Sequence, residues 1–461
     1  MTIKPQPAKY HPETAILSLG EKIGDPVKPA DFPETILRFR NDRWAETVGL
    51  AHLNDEQWIG HFGRFEPLDG SLQEPLALRY HGHQFRSYNP EIGDGRGFLF
   101  AQLRDGAGRL LDLGTKGSGQ TPYSRFGDGR LTLKGGVREI LATEMLEALG
   151  VNTSKTFSLV ETGEELVRGD EPSPTRSAAM VRLSHGHIRI GTFQRIAFER
   201  DEAMMTRLVE YCLTQFGTGA EDAAEPVTLL RQVVERTADL AASYMAAGFV
   251  HGVLNSDNIN ITGESFDYGP WRFTPKWDPA FTAAYFDQTG LYAFGRQAEA
   301  IHWDVAQLAV SLRLLSDADP LIAELERFAD LYQQGVMKHF FRRLGLLPGE
   351  LTSSLRVIEQ CVKAMVETGT DIDRFFFDWR CGDAKRVEHY TGEQWDAVRA
   401  DLTAFTPAGA CDHPYWSDAA PCSMHIEEVE TIWSAIAERD DWQPLYDKVA
   451  AIRRMGEAHV Q

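Results

Sequence analysis

The stretch HGVLNSDNINITGESFDYG, residues 251–269, combines residue types that can hold a metal ion and move a proton. Asn258 and Asp267 offer the amide and carboxylate oxygens that Mg²⁺ prefers, nine residues apart across a predicted strand-turn-strand. Asp257 is the carboxylate inside the loop. It can accept a proton from an attacking hydroxyl group, or it can hydrogen-bond the loop backbone. The stretch therefore predicts metal-dependent chemistry on a phosphorylated ligand.

The spacing is that of a protein-kinase catalytic loop followed by its metal-binding motif, His-Arg-Asp, four variable residues, Asn and then Asp-Phe-Gly. His251 and Asn258 stand seven residues apart, as this pattern requires, and Asp-Tyr-Gly follows at 267–269. The position of the catalytic Asp holds Val253, which cannot accept a proton. Either the base has moved to Asp257, or the loop binds a nucleotide without catalysis.

Three further features precede this stretch in the order that phosphoryl chemistry needs. Gly93 and Gly95 would let backbone N–H groups approach phosphates, and Arg96 adds a cation. Lys116 can reach the same phosphates from a predicted strand. Glu139, 23 residues later on a predicted helix, can form the strand-lysine to helix-glutamate ion pair of kinase folds. Each feature alone has an ordinary explanation, but their order favours a kinase-like site.

Strands before about residue 200 and helices after it must position these residues. Apolar runs at 97–103 and 109–116 flank an Asp-Gly turn and predict a β-hairpin. Apolar residues at i, i+3 and i+4 predict a helix over 135–150, and two further strands are predicted within 153–162 and 178–184. Helical patterns follow near 202–216, 227–248, 298–315, 319–344, 353–367, 393–404, 425–437 and 442–456.

This order predicts an α+β, two-lobed protein-kinase-like fold with a strand-rich N-lobe and a helical C-lobe. We expect residues 1–75 to form an N-terminal extension that packs on the N-lobe. The N-lobe is expected over 76–198, and the C-lobe with a C-terminal extension over 199–461. The aromatic-rich run at 373–380 is expected to be the core of a helix.

Composition narrows the class of protein. The formal net charge is −20, from 67 acidic and 47 basic residues, which opposes non-specific binding to nucleic acid. The sequence has no run of about 18 apolar residues that would indicate a membrane span. It starts with neither an apolar signal core nor an Arg-rich presequence, so we expect a cytoplasmic protein. The 5 cysteines favour a reduced setting over a disulfide framework.

Two groups of possible metal ligands lie outside the main stretch. Four of them fall within fifteen residues, Cys411, His413, Cys422 and His425. A zinc site is conceivable there, but Cys-x-His is an uncommon ligand spacing, and a loop with two free thiols is the preferred interpretation. His81 and His83 are interpreted as structural.

Several longer motifs span roughly residues 80–310. They are GHQF (82–85), GDGRG (93–97), KGSGQTPYSRFGDGR (116–130), VREIL (137–141), RLSHGHIRIGTF (182–193), HGVLNSDNINI (251–261) and DYGP (267–270). In these motifs the sequence resembles the selenoprotein O family, kinase-fold proteins that act as protein adenylyltransferases and are also described as pseudokinases. Residues 380–461 resemble the family poorly.

The resemblance implies an enzyme that binds ATP in a flipped orientation and moves AMP to a Ser, Thr or Tyr hydroxyl of a protein, releasing pyrophosphate. By motif, Asp257 would accept the proton, and Asn258 and Asp267 would hold Mg²⁺, with Mn²⁺ as an alternative. Nucleotide contacts are implied for Gly93, Gly95, Arg96, Lys116, Asp128, Gly129, Arg182, Arg189 and Asp267, with Glu139 as the partner of Lys116. The expected partners are ATP and protein substrates, without nucleic acid or membrane.

Two alternatives stay open from the residues themselves. A phosphotransferase could use Asp257 as its base and move the γ-phosphoryl group with ATP in the ordinary orientation. A scaffold could bind nucleotide without turnover, which Val253 favours. The complete pair of metal ligands argues against the scaffold, because a scaffold has no need of them.

Overall fold

The computed structural model describes residues 7–169, 171–218 and 225–460, so the first six residues of the expected N-terminal extension lie outside the described residues. The strands are β1 (Pro12–Glu13), β2 (Gly24–Pro26), β3 (Ile36–Arg40), β4 (Leu76–Leu78), β5 (Gly82–Gln84), β6 (Ser87–Asn89), β7 (Leu99–Arg104), β8 (Leu110–Lys116), β9 (Leu131–Thr132), β10 (Lys155–Leu166), β11 (Thr175–Ser184), β12 (Phe249–Val250) and β13 (Arg272–Phe273). The helices are α1 (Asp42–Thr47), α2 (Asp55–Phe62), α3 (Leu133–Ala148), α4 (Ile190–Glu199), α5 (Glu202–Phe216), α6 (Pro226–Ala247), α7 (Gln297–Leu312), α8 (Ala318–Glu326), α9 (Phe328–Leu344), α10 (Leu351–Thr368), α11 (Ile372–Asp378), α12 (Glu393–Leu402), α13 (Ile426–Arg439) and α14 (Gln443–Val460).

An antiparallel sheet occupies the first part of the chain, in the order β2-β4-β7-β8-β11-β10-β3, with β1 paired to β7 and β9 to β11. The predicted hairpin is present as β7 and β8, which pair from Leu99 with Gly114 to Arg104 with Leu110. Its turn forms because Asp105 Oδ1 accepts hydrogen bonds from the N–H groups of Ala107 and Arg109. The two further strands predicted after the helix are also present, as β10 and β11.

The helix predicted over 135–150 is α3, and it packs against β10 and β11. Its apolar face is buried, and Glu139 is buried with it at 0% exposure. Thr132 begins the helix by accepting a hydrogen bond from the N–H of Gly135. The helix therefore carries an acidic side chain into the interior beside the sheet.

Helices dominate the chain after residue 190, as predicted. The pattern over 319–344 is wrong as a single helix, because α8 and α9 are separated at Arg327, whose N–H bonds to the carbonyl of Glu324 three residues before it. The strand-turn-strand predicted across Asn258 and Asp267 is also wrong. The backbone there makes isolated bridges to other segments, Asn260 to Arg189 and Ser265 to Thr153.

The architecture is thus α+β, with the sheet in the first part and helices in the second, as predicted. Strands β2 and β3, from the segment expected as an N-terminal extension, lie at the two ends of the sheet path. The division into 1–75, 76–198 and 199–461 stays a proposal. Residues 373–378 of the aromatic run fall on α11, whose phenylalanines are buried as expected, and Trp379 and Arg380 follow the helix. Within the described ranges, no helix is both long and apolar enough to cross a membrane.

The cysteines correct one expectation from the sequence. Cys381 and Cys411 form a disulfide, so Cys411 is not the free thiol that was preferred for the 411–425 loop. The reason is spatial, because the chain returns thirty residues later to the end of α11, which spacing along the sequence does not reveal. Cys422 is free and half-buried, and burial raises the pKa of its thiol to about 11. Among the described residues, no group of three or more His, Cys, Asp or Glu side chains is placed to hold a metal ion.

Candidate active site

A cavity of about 710 Å³ gathers most of the residues that the sequence singles out. Ten of these predicted site residues line it, Gly93, Gly95, Arg96, Lys116, Asp128, Gly129, Arg182, Arg189, Asp257 and Asp267. Of the other two, Glu139 lies behind Lys116, and Asn258 belongs to the same short 3-10 helix as Asp257. Residues far apart in sequence therefore meet in one place.

The predicted ion pair between Lys116 and Glu139 is present. Lys116 is the last residue of β8, and its Nζ atom contacts Oε1 of Glu139 on α3. The same ammonium lies 2.7 Å from Oδ1 of Asp267. Both partners of the pair are buried, so the ammonium is shared between two carboxylates with little access to water. Lys116 thus ties the sheet, α3 and the Asp267 loop together.

Two arginines also line the cavity. Arg182, on β11, places Nη1 3.4 Å from Oδ1 of Asp267. Arg189, which precedes α4, donates from Nη1 to the carbonyl oxygen of Asp257 at 2.9 Å. Its Nη2 donates to Oδ1 of Asp94 at 3.1 Å, and its guanidinium lies 4.4 Å from the centre of the Tyr80 ring. Both arginines are buried, which fixes two cations beside the two acidic loops.

Asp257 lies in the 3-10 helix Ser256–Asn258 and is 7% exposed. In the part of the chain that the structure describes, its Oδ1 atom has no hydrogen-bond partner. Burial raises the pKa of Asp257 to about 6, opposed by the charge of Arg189 and assisted by that of Asp267. A carboxylate with this pKa is ionised at neutral pH and basic enough to take a proton from a reacting hydroxyl group.

The rest of the loop holds these groups in position. His251 is buried, with Nε2 3.0 Å from the carbonyl oxygen of Phe266, and burial lowers its pKa, so the ring is neutral and structural. Val253 contributes its carbonyl, which accepts a hydrogen bond from Nδ2 of Asn258 at 3.0 Å. This bond orients the amide of Asn258 and distinguishes its oxygen from its nitrogen. The loop thus uses the backbone of Val253 and not its side chain.

Asp267 occupies a left-handed backbone conformation with φ 64, which is unusual for a residue other than glycine. Burial alone would raise its pKa, but Lys116 and Arg182 hold the pKa well below its ordinary value, so the carboxylate is ionised. An ionised carboxylate and an oriented amide are donors of the kind that Mg²⁺ takes. The residue types at this place therefore fit the predicted metal.

The glycine-rich loops close one side of the cavity. Gly93 faces the ring of Tyr123, and a Cβ atom on Gly93 would lie 2.5 Å from that ring, so the close approach requires glycine. Asp128, an implied nucleotide contact, is held by Arg168, whose Nη1 lies 2.7 Å from Oδ2. Asp94 was not predicted as a site residue, because only the glycines and the arginine of its motif were considered.

The contact between the β5–β6 hairpin and the site was also not predicted, although GHQF was noted as a motif. The N–H of His83 donates to Oγ of Ser256 at 2.7 Å. A Cβ atom on Gly82 would lie 2.9 Å from Oδ1 of Asp257, so this glycine permits the hairpin to lie against the acid. The two segments are more than 170 residues apart in sequence, which is why spacing could not reveal the contact.

Comparison with known proteins finds similar sequences over nearly the whole chain. A family model described as "Protein adenylyltransferase SelO" matches residues 7–404. The protein nucleotidyltransferase YdiU of Synechocystis sp. is 42% identical over 96% of this chain and 97% of its own length. Its counterpart in Trichodesmium erythraeum is 39% identical over 95% of this chain and 98% of its own length. The family model ends at residue 404, and the poor resemblance expected for residues 380–461 stays a prediction.

Among solved structures, the kinase domain of a Toxoplasma gondii rhoptry antigen aligns over 72% of this chain and 84% of its own. It is 11% identical, with a TM-score of 0.27, and so distant a likeness supports no conclusion about this site. The kinase-like character is carried by the chain's own geometry. A strand lysine pairs with a helix glutamate, and Asp257 and Asp267, from the loop that starts with His-Gly and from the Asp-Tyr-Gly motif, line the same cavity.

Proposed function

The chain belongs to the protein adenylyltransferase SelO family, and from that premise we propose that it transfers AMP from ATP to Ser, Thr or Tyr hydroxyl groups of proteins. One observation carries the proposal. Among the described residues, seven Lys and Arg residues and four Asp residues line a single cavity, and they include Arg96, Lys116, Arg182, Arg189, Asp257 and Asp267. Such a site suits a triphosphate, because the cations offset its charge.

In the proposed orientation, the α-phosphate of ATP faces the acceptor, and the β- and γ-phosphates lie among the cations. The acceptor hydroxyl oxygen attacks the α-phosphorus. The bond from that phosphorus to the oxygen shared with the β-phosphate breaks, and pyrophosphate leaves. The hydroxyl proton passes to the carboxylate of Asp257, whose unpartnered Oδ1 atom is free to receive it within the described structure. The product is a protein with AMP attached through a phosphodiester bond.

In this reaction the fixed cations stabilise the negative charge on the phosphates. Arg182 and Arg189 are buried, so their guanidinium groups need little reorganisation as negative charge develops on the transferring phosphate. Mg²⁺ or Mn²⁺, held by Asn258 and Asp267, would supply further neutralisation of the phosphate oxygens when bound. Lys116 would then exchange part of its contact with Asp267 for contact with phosphate.

The test uses ATP labelled at either the α- or the γ-phosphate, incubated with Mg²⁺ and candidate acceptor proteins. AMP transfer predicts label on protein from α-labelled ATP and none from γ-labelled ATP. Label from the γ-phosphate alone refutes the proposal and favours a phosphotransferase with Asp257 as base. Absence of label from both, with nucleotide bound, favours the scaffold.

A further inference from the structure

Three neighbouring aromatic side chains are exposed beside the loop that carries Asp257. Phe85 is 39% exposed, Phe286 46% and Tyr285 83%. The ring centres of Phe85 and Phe286 are 5.9 Å apart, and those of Tyr285 and Phe286 are 5.2 Å apart. We name these three side chains the aromatic patch. Contiguous exposed apolar rings on a protein surface mark places where another molecule binds.

The patch is continuous with the candidate active site. The N–H of Phe85 donates to Oδ1 of Asn255 at 3.0 Å, and the hydroxyl of Tyr292 donates to the same oxygen at 2.6 Å. The rings of Phe85 and Tyr292 lie 5.1 Å apart. Asn255 stands two residues before Asp257, and Gln84, next to Phe85, lines the cavity. The aromatic patch therefore lies next to the loop that an acceptor hydroxyl group has to reach.

The backbone at Phe85 indicates that its side chain has a role other than forming the turn. Phe85 and Arg86 connect β5 to β6, and both have positive φ, 50 and 62. A two-residue turn of this conformation favours Asn-Gly, because a Cβ atom in the left-handed region comes close to the backbone carbonyl and only Gly, or Asn through its local hydrogen bonds, avoids the cost. Phe85 thus occupies a backbone conformation that phenylalanine disfavours, as is common at functional sites.

Charge at the border of the patch is largely paired. Glu299 lies 2.9 Å from Arg86 and 3.2 Å from Arg296, so this acid is matched by its neighbours. In a chain with a net charge of −20, the patch is a locally apolar surface. A partner would therefore be recognised here by apolar contact. Tyr is also enriched among the residues that carry most of the binding energy of protein interfaces, and Phe is enriched in interfaces.

We propose that the aromatic patch binds the acceptor polypeptide through a large apolar side chain next to the residue that receives AMP. This inference rests on the proposed function, because it names the class of acceptor for that reaction. A proton reaches Asp257 only from a hydroxyl group within about 3 Å, so the residues flanking the hydroxyl lie over the neighbouring surface. A second copy of this chain on the patch would instead compete with the acceptor for the same approach.

The test measures peptide binding separately from catalysis. Two short fluorescent peptides each contain one serine and differ only in its neighbours, leucine in one and glutamine in the other. Fluorescence anisotropy gives their affinities for the full chain and for the double variant Tyr285→Ser, Phe286→Ser. Val366→Ser is the matched control, since Val366 is an exposed apolar residue, 56% exposed, on α10. Thermal unfolding confirms that each variant is folded.

The full chain and the control are expected to bind the leucine peptide about tenfold more tightly than the glutamine peptide, and the double variant is expected to lose this preference. Equal binding of both peptides by the full chain, or an undiminished preference in the double variant, overturns the proposal. The proposal is also overturned if the full chain forms a dimer and the double variant is monomeric, because the patch would then be an interface between two copies of the chain. Label from α-labelled ATP on the leucine peptide is counted separately, so a failure of AMP transfer is distinguished from a failure of the patch.

Discussion

Removing the ammonium of Lys116 should destabilise the protein far more than removing the charge of its partner Glu139. Lys116 contacts two carboxylates, those of Glu139 and Asp267. The carboxylate of Glu139 is fully buried, and among the described residues its Oε2 atom has no hydrogen-bond partner. Lys116→Met leaves Glu139 as an uncompensated buried charge. Asp267 is less affected, because Arg182 remains 3.4 Å from it.

The expected size follows from the cost of breaking a buried ion pair. Removing one partner of such a pair costs about 3–5 kcal/mol, because the other charge is left buried and uncompensated. Lys116→Met should therefore lower the free energy of unfolding by about 4 kcal/mol.

Glu139→Gln is the matched variant. The amide keeps the shape of the side chain and can still accept from Lys116, whose ammonium retains Asp267 at 2.7 Å. A loss of about 1 kcal/mol is expected. Urea unfolding of the two variants and of the unaltered chain, with a chelator present, measures both losses. The reasoning is refuted if the two variants lose equal stability.

Three further outcomes are expected. Gly82→Ala places a methyl group 2.9 Å from Oδ1 of Asp257. It should lower kcat for AMP transfer about a hundredfold while ATP affinity is retained. An unchanged kcat would show that the hairpin does not position Asp257. Asp267→Ala should abolish incorporation of the α-label, and full activity would contradict its assignment as a metal ligand. Although burial opposes it, Lys155 and Arg43 hold the pKa of Glu147 at about 2, below its ordinary 4.5. The Glu147 carboxylate therefore contributes about 3 kcal/mol to the free energy of unfolding above pH 4.5, and this contribution is lost as pH falls towards 2. In urea titrations, Glu147→Gln should lose less stability on acidification than the unaltered chain. Identical acid profiles would count against the pairing.

Local signals explain what the sequence predicted well. The β7–β8 hairpin follows from an Asp-Gly turn, because Asp105 binds the backbone of the same turn. Helix α3 follows from the periodicity of its apolar residues, which is also the face that it buries. The Lys116–Glu139 pair is predictable for the same reason, since each member lies on a well-signalled neighbouring element. Where the interaction is short-range in sequence, the residues themselves encode it.

The misses share a different cause. Helix α4 is preceded by Arg189 instead of the Ser, Thr, Asp or Asn that commonly caps a helix, and Arg189 binds the loop of Asp257. The alternating run after Asn258 resembles a strand pair, yet its backbone bridges to Arg189 and Thr153. The hairpin at Gly82 contacts the acid across more than 170 residues. In each case a long-range contact at the site overrode the local preference.

The valine at position 253 illustrates how such a contact changes the interpretation of a motif. By spacing, Val253 stands where a kinase has its base, and the loss of a carboxylate there suggests an inactive protein. In the folded chain its carbonyl orients Asn258, while the carboxylate of Asp257, four residues on, lines the cavity with an unpartnered oxygen among the described atoms. Burial gives that carboxylate a pKa of about 6, which is suited to taking a proton near neutral pH. On the proposed AMP transfer, a base at Asp257 serves attack at the α-phosphate, and the absence of a carboxylate at Val253 then argues against ordinary phosphorylation and not against catalysis.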